Sequence, residues 1–353
     1  MPTDIYEQAR AFENWIDNPS PHQLSESERL FLPQIDERAA RDILLGSKVN
    51  VICVAPGLRE VRVGLENLPK STRDKERLPR RFFRGNAIAY YRIKGAAAAT
   101  PAAASSYPAS LQNSRYPCGS SISVANSSRT GTMGCLVRID GVLHGLSNNH
   151  VTAGLSSLPP GMPISAPGLL DVGPRQLDPF IIGYHAGCST WRHGTPENVS
   201  IKENLDLAIF RIKDEDAVTS FQGHYHDTPA LYASVSAVMA TPNTRATKVG
   251  RTTGLTSGDL LGHNTKRVVV PMVDGPKRFD VHFPYVLTVY NHETPFAAPG
   301  DSGSLVTRDN NGVAEAIGIV FSTSRCGCAT YVIPIELALA FFKATLVSGH
   351  NVI

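Results

Sequence analysis

Three short segments hold side chains that together could break an acyl bond. Pro299-Gly300-Asp301-Ser302-Gly303-Ser304 sets a hydroxyl between glycines, and Leu146-Ser147-Asn148-Asn149-His150-Val151 offers an imidazole. Leu205-Asp206-Leu207-Ala208-Ile209-Phe210 opens an apolar run with a carboxylate. A serine hydroxyl is a poor nucleophile at its own pKa, so a base must take its proton as it attacks. An imidazole does this when a buried carboxylate fixes its tautomer and offsets the charge it acquires. The oxyanion then needs backbone N–H donors, and glycine beside the serine permits a turn tight enough to aim them inward. These requirements assign Ser302 as nucleophile, His150 as base and Asp206 as its partner. The N–H groups of Gly300 and Ser302 are the expected oxyanion hole. Asp171, Asp178 and Glu203 are alternatives to Asp206, but none opens so clean a strand.

Short strands must carry these segments. Residues 133–139 and 142–147 flank Asp140-Gly141, both of which tolerate positive φ and so close a hairpin just before His150. Residues 267–273 and 278–283 repeat the pattern across Asp274-Gly275. Further strands are expected at 180–184, 207–212, 286–290, 304–307, 316–321 and 329–333. A closing helix is expected over 335–346, behind Pro334. The 29 glycines and 25 prolines supply many turns. Hairpins without alternating helices predict antiparallel barrels or a sandwich.

The chain before this region reads differently. Ile5, Ala9, Phe12 and Ile16 stand at helical spacing, and Asn18-Pro19 ends the run. A second helix is expected from Ser25, with Glu28 completing a capping box, as far as Leu45, kinked or split at Pro33. Residues 49–54, 61–65 and 87–93 read as strands. Between them, seven basic residues stand between Lys70 and Arg84 against two acids, a solvated loop or a docking patch. Residues 95–110 are rich in Ala, Pro and Ser and read as a linker. The expected division is therefore 1–45 a helical arm, 46–94 a small strand-rich module, 95–114 the linker, and 115–353 the domain carrying the chemistry, its two halves dividing near 215–245.

Composition narrows the function classes. A net charge of +3 gives no global field to recruit nucleic acid or an anionic membrane. No stretch approaches the ~20 apolar residues of a membrane span, and the first thirty residues lack the apolar core of a secretory signal. A cytoplasmic protein is expected. Six cysteines stand at 53, 118, 135, 188, 326 and 328, and reduced thiols are the default reading. Cys326-Gly327-Cys328 is too sparse to hold a metal by itself, so no cofactor or catalytic metal is expected.

The segments S-N-N-H-V, D-L-A-I-F and P-G-D-S-G-S resemble the three signatures of trypsin-like serine peptidases, in their chain order. The histidine segment is similar to that of HtrA-type proteases. Gly131-Thr132-Met133-Gly134-Cys135-Leu136-Val137 and Lys248-Val249-Gly250-Arg251-Thr252-Thr253-Gly254 more closely resemble the intracellular Narrow-leaf-type group. The resemblance covers about 115–345 and more weakly 49–95. It implies a mainly β fold of two antiparallel six-stranded barrels, chymotrypsin-like, with a C-terminal helix and a small α+β module in front. It implies a serine endopeptidase acting on protein or peptide substrates. Two departures matter. No Ile-Val-Gly-Gly-type mature N-terminus precedes the domain, which leaves the partner of Asp301 open. Phe296 stands where such enzymes keep an acid for a basic P1 side chain, so an uncharged P1 is expected, with Val320 and Ser322 as further pocket walls. An α/β-hydrolase needs glycine where Ser304 stands and a histidine after the serine. A catalytically inactive interaction scaffold on the same fold is the other alternative. The N-terminal third either packs on the barrels or docks over the cleft and receives a regulatory partner. Oligomeric state is left open.

Overall fold

Alternating apolar and polar residues let a curved sheet bury one face, and over residues 245–334 such a sheet closes on itself. The structure, a computed structural model, describes residues 4–17, 30–31, 34–56, 60–82, 85–93, 115–125, 127, 129–172, 180–194, 198–241, 244–264, 267–274, 276–291, 293–325 and 327–352. Arg245–Gly250 pairs with Gly254–His263, which pairs with Leu287–Tyr290, then Ala329–Pro334, Val313–Thr323 and Leu305–Asn310. Leu305–Asn310 returns to Arg245–Gly250, closing a ring of six antiparallel strands. Leu260, Leu287, Val289, Val306, Ile317 and Val332 fill it.

The preceding half curls in the same sense. Its sheet runs Cys135–Ile139, Val142–Ser147, Ala208–Ile212, Phe180–Cys188, Pro163–Ala166, Ser121–Val124 and Thr130–Thr132. The last and first of these are separated in sequence only by Met133-Gly134, so the chain itself completes the curl that no ladder closes. The result is a mainly β, chymotrypsin-like double barrel in which one barrel is sealed by hydrogen bonds and the other is a half-barrel. The closing helix is Ile335–Phe342, shorter than expected, because Lys343 turns left-handed at φ 52°. Thr345–Leu346 then pairs with Cys135–Ile139, tying the end of the chain to the first half.

The hairpin Val268–Asp274/Lys277–Phe283 belongs to neither barrel sheet; beyond its own ladder, Val281 makes an isolated antiparallel bridge to His193. Its inward residues Val268, Val270, Met272, Val281 and Phe283 are buried against Leu205, Leu207, Ile319 and Phe321, at the seam of the two halves. Burial of five such side chains holds it there by about 1.5–3 kcal/mol each as an upper bound.

The N-terminal module has its own aromatic core of Phe12, Trp15, Phe31 and Phe82. Its sheet orders Val51–Pro56, Glu60–Leu65 and Ala87–Arg92, as the strand expectations require. It packs on the second barrel through Ile52, Tyr91 and Ile93 against Tyr290 and Ala329. Three expectations are corrected. The second helix is Glu37–Leu45, started by Asp36, whose carboxylate caps the Ala39 N–H; the capping box at Ser25 and Glu28 lies outside the described residues, as does the 95–110 linker. The basic stretch is not all loop, because Ser71 caps a short helix, Thr72–Arg77. Cys328 is disulfide-bonded, contrary to the expectation of reduced thiols throughout, and it sits at the seam of module and barrel with Sγ 3.6 Å from Arg92 O.

Candidate active site

Adjacent strands bring His150 and Asp206 to one end of the first half. His150 lies on the single turn Asn149–Thr152 just after Val142–Ser147, and Asp206 lies just before Ala208–Ile212; Ser147 pairs with Ala208. The fully buried Asp206 then grips His150 twice. Oδ2 stands 2.5 Å from His150 Nδ1, and Oδ1 accepts the His150 backbone N–H at 3.1 Å. A proton held on Nδ1 by this carboxylate leaves Nε2 as the proton acceptor. Asn148 Nδ2 donates to Asp206 O at 2.6 Å, and Asn149 Nδ2 reaches Ser156 Oγ and Ser189 O. The two asparagines therefore brace the turn on either side, a role the sequence motif contains but does not explain. Asp171, one of the alternatives to Asp206, is engaged elsewhere, by Arg251.

Ser302 is half-buried on a turn between Gly300, at φ 101°, and Gly303, at φ 97°. Both angles lie where only glycine is unstrained. Among the described residues, neither the Gly300 nor the Ser302 N–H donates a backbone hydrogen bond, so both donors remain for a ligand. The turn is held from the first half: Thr132 N donates to Ser302 O at 2.8 Å, and Thr132 Oγ1 donates to Gly300 O at 2.9 Å. A Cβ on Gly131 would meet Val151 at 2.5 Å and Ser302 O at 3.0 Å. The residue after His150 thus packs on the strand that holds Ser302, and all three segments meet. Gly131-Thr132-Met133-Gly134 emerges as the clamp on the serine turn. Gly134→Ala is expected to displace that turn, because its Cβ would run into the carbonyl oxygen of Gly303. Activity per folded molecule should fall about 100-fold, since small misplacements cost that much. A variant with wild-type kcat by active-site titration would contradict this.

Asp301 is wholly enclosed, and its neighbours answer the open question of its partner. Oδ1 accepts the N–H groups of Thr252 and Thr253, while Oδ2 accepts Thr253 Oγ1 at 2.7 Å and Ala298 N at 2.9 Å. Lys248 Nζ completes the set at 3.4 Å. Sequence reasoning missed this role: Lys248 is fully buried on a strand whose first residue, Arg245, is exposed, so residue type alone does not show that it faces inward to a partner.

The pocket candidates separate. Phe296 is 1% exposed and packs in the core of the second barrel with Val320, whose carbonyl accepts Gly303 N at 2.8 Å. Val320 therefore lines the serine turn through its backbone and not its side chain. Ser322 lies on the same strand, two residues further on, and is 9% exposed. Phe321, between them, packs its ring at a tilt against Phe283 of the hairpin, with centroids 4.8 Å apart. The hairpin also reaches the first half: Asn204 Nδ2 donates to His282 O, and Arg129 Nη2 donates to Val273 O at 2.6 Å. Arg129 stands in electrostatic reach of both Asp274 and Asp206.

Among the described residues, no free thiol is poised as a nucleophile. Burial pushes the Cys118 thiol up to about 12 and raises Cys135 and Cys188 as well, so each stays protonated and inert. Among the described residues, no group of three or more His, Cys, Asp and Glu side chains is placed to hold a metal ion.

No family model matches the chain, and no curated protein does. Among solved structures it is similar to a glutamic acid-specific serine protease, with a TM-score of 0.42 and 17% identity over 65% of this chain and 100% of that one. It is also similar to Thermobifida fusca protease A, at 0.41 and 17% over 66% and 98%. A third likeness is to Cellulomonas bogoriensis chymotrypsin, at 0.40 and 17% over 66% and 100%. The double barrel of this chain is defined by its strand pairing alone.

Proposed function

We propose that the chain is a serine endopeptidase of the trypsin-like class, using His150, Asp206 and Ser302. The observation that carries this reading is the double grip of buried Asp206 on His150, beside a glycine-flanked Ser302 turn with two undonated N–H groups. Ser302 Oγ attacks the substrate carbonyl while its proton passes to His150 Nε2, and Asp206 holds the Nδ1 proton and offsets the imidazolium charge. The oxyanion takes the N–H groups of Gly300 and Ser302. His150 then gives its proton to the leaving amine, and water, deprotonated by the same ring, releases the acyl group from Ser302.

The motif resemblance favours the intracellular Narrow-leaf-type and HtrA-like peptidases as the subfamily, and with them a cytoplasmic setting. Among the described residues, no helix is long and apolar enough to cross a membrane. The substrate class is protein or peptide. An uncharged P1 follows from the absence of a carboxylate at Phe296, because an unpaired Lys or Arg in a dry slot is costly. The N-terminal module is proposed as a packed unit on the second barrel, open to a regulatory partner. A fluorophosphonate probe tests the core of this reading. It is expected to label the full chain on Ser302, located by peptide mapping, with labelling lost in His150→Ala. An unlabelled wild-type chain would favour the inactive scaffold.

A further inference from the structure

A buried ammonium stands beside the residue that precedes the nucleophile. Lys248 lies on Arg245–Gly250 with its side chain fully enclosed. Its Nζ donates to Thr253 Oγ1 at 2.5 Å and to Gly254 O at 3.1 Å, and faces Asp301 Oδ2 at 3.4 Å. The Phe296 ring lies 5.9 Å below it. All three ammonium protons are thus directed, and Asp301 is the acid facing them. The same segment shapes itself around the carboxylate elsewhere. A Cβ on Gly250 would fall 2.5 Å from Asp301 Oδ1 and from Ser304 Oγ. The Arg251 N–H donates to Thr132 Oγ1, whose own proton goes to Gly300 O.

A turn built on two left-handed glycines has little conformational preference of its own, so its geometry must be imposed from outside. Here the imposition comes from one segment, Lys248–Gly254, acting on Asp301 directly and on Gly300 through Thr132. We propose that Lys248 is the positioning residue that holds the Gly300–Ser302 turn in its working conformation, supplying from within the chain the positive charge that Asp301 requires. This rests on the serine-peptidase reading of the same site. Competence then needs no cut in the chain to release an ammonium. Burial lowers the Lys248 pKa and Asp301 draws it back up, so the charge is lost below the ordinary lysine range as pH rises.

The test compares the full chain with Lys248→Met, Lys248→Arg and the double variant Lys248→Met/Asp301→Asn, reading fluorophosphonate labelling rate, kcat, KM and the alkaline limit of activity. Lys248→Met is expected to lose about 100-fold in kcat and labelling rate, with KM changing far less, as when an oxyanion donor is displaced. Lys248→Arg is expected to recover most of this and to move the alkaline limit upward, because a guanidinium stays charged. The double variant removes both charges of the Lys248–Asp301 pair together and is expected to fold cooperatively while remaining about 30-fold impaired. Wild-type activity in the double variant, or an unshifted alkaline limit in Lys248→Arg, would overturn the proposal. An unlabelled wild-type chain would instead overturn the peptidase reading on which it rests.

Discussion

Ser302→Ala is expected to lower kcat by about 10⁵–10⁶-fold, and His150→Ala by a similar factor. In the proposed mechanism the two side chains act as one unit: without the hydroxyl there is nothing for the imidazole to deprotonate, and without the imidazole the hydroxyl keeps its proton. The double variant should therefore be little worse than either single one, where independent contributions would multiply. Asp206→Asn is expected to cost about 10⁴-fold, since an amide in place of Oδ2 favours the wrong tautomer of the ring it touches at 2.5 Å. Folding should survive Ser302→Ala, because the side chain is half-buried on a turn that backbone bonds from Thr132 and to Val320 already hold. The measurement is kcat on a peptide substrate with the folded fraction fixed by circular dichroism. Undiminished kcat in Ser302→Ala would sink the assignment.

The three catalytic candidates were legible because each stands at a strand end, where a turn signal or an apolar run marks the position. Asp140-Gly141 places His150 one strand length downstream, and the run from Leu207 to Ile212 places Asp206 at its mouth. Pairing between those two strands is what sequence implies but does not show, and it is the pairing that fixes the distance. The first helix was legible from its apolar spacing. The described part of the second begins after Pro33, where a split was expected, but its cap, Asp36, was not singled out, because the hydrogen bond to Ala39 N appears only in the packed module. Lys248, Thr132 and the hairpin's placement were not legible. Their roles come from contacts across more than forty residues, such as Thr132 with Gly300 and Arg129 with Val273. A local pattern carries no record of such contacts. Position 296 is legible as the place of the P1 acid only through the resemblance, and the Phe296 side chain belongs to the second barrel's interior.

Asp171→Ala should produce the largest loss of stability among single charge changes. Arg251 is fully buried, and it crosses from the second barrel to Asp171 on the first half with Nε 2.5 Å from Oδ2 and Nη2 2.7 Å from Oδ1. Two parallel bonds of this kind are geometrically exacting, and Ser121 Oγ adds a third at 2.5 Å. Such a pair gains little over an apolar pair of similar volume, because desolvating both ions offsets most of their attraction. Its consequence is interdependence: removing one partner strips the other of a bidentate, charge-matched contact in a desolvated site. The expected cost is about 3–5 kcal/mol for Asp171→Ala, and a similar cost for Arg251→Met. Asp171→Leu combined with Arg251→Met should lose less than either single change, a coupling that a double-mutant cycle in urea reads directly. The same substitutions should reach the site, since the Arg251 backbone N–H orients the Thr132 hydroxyl that holds Gly300 O. Activity per folded molecule is therefore expected to fall in the single variants as well as stability. Costs below about 1 kcal/mol for both singles would show that the two halves are joined by the apolar seam of Leu205, Val270, Phe283 and Phe321 instead.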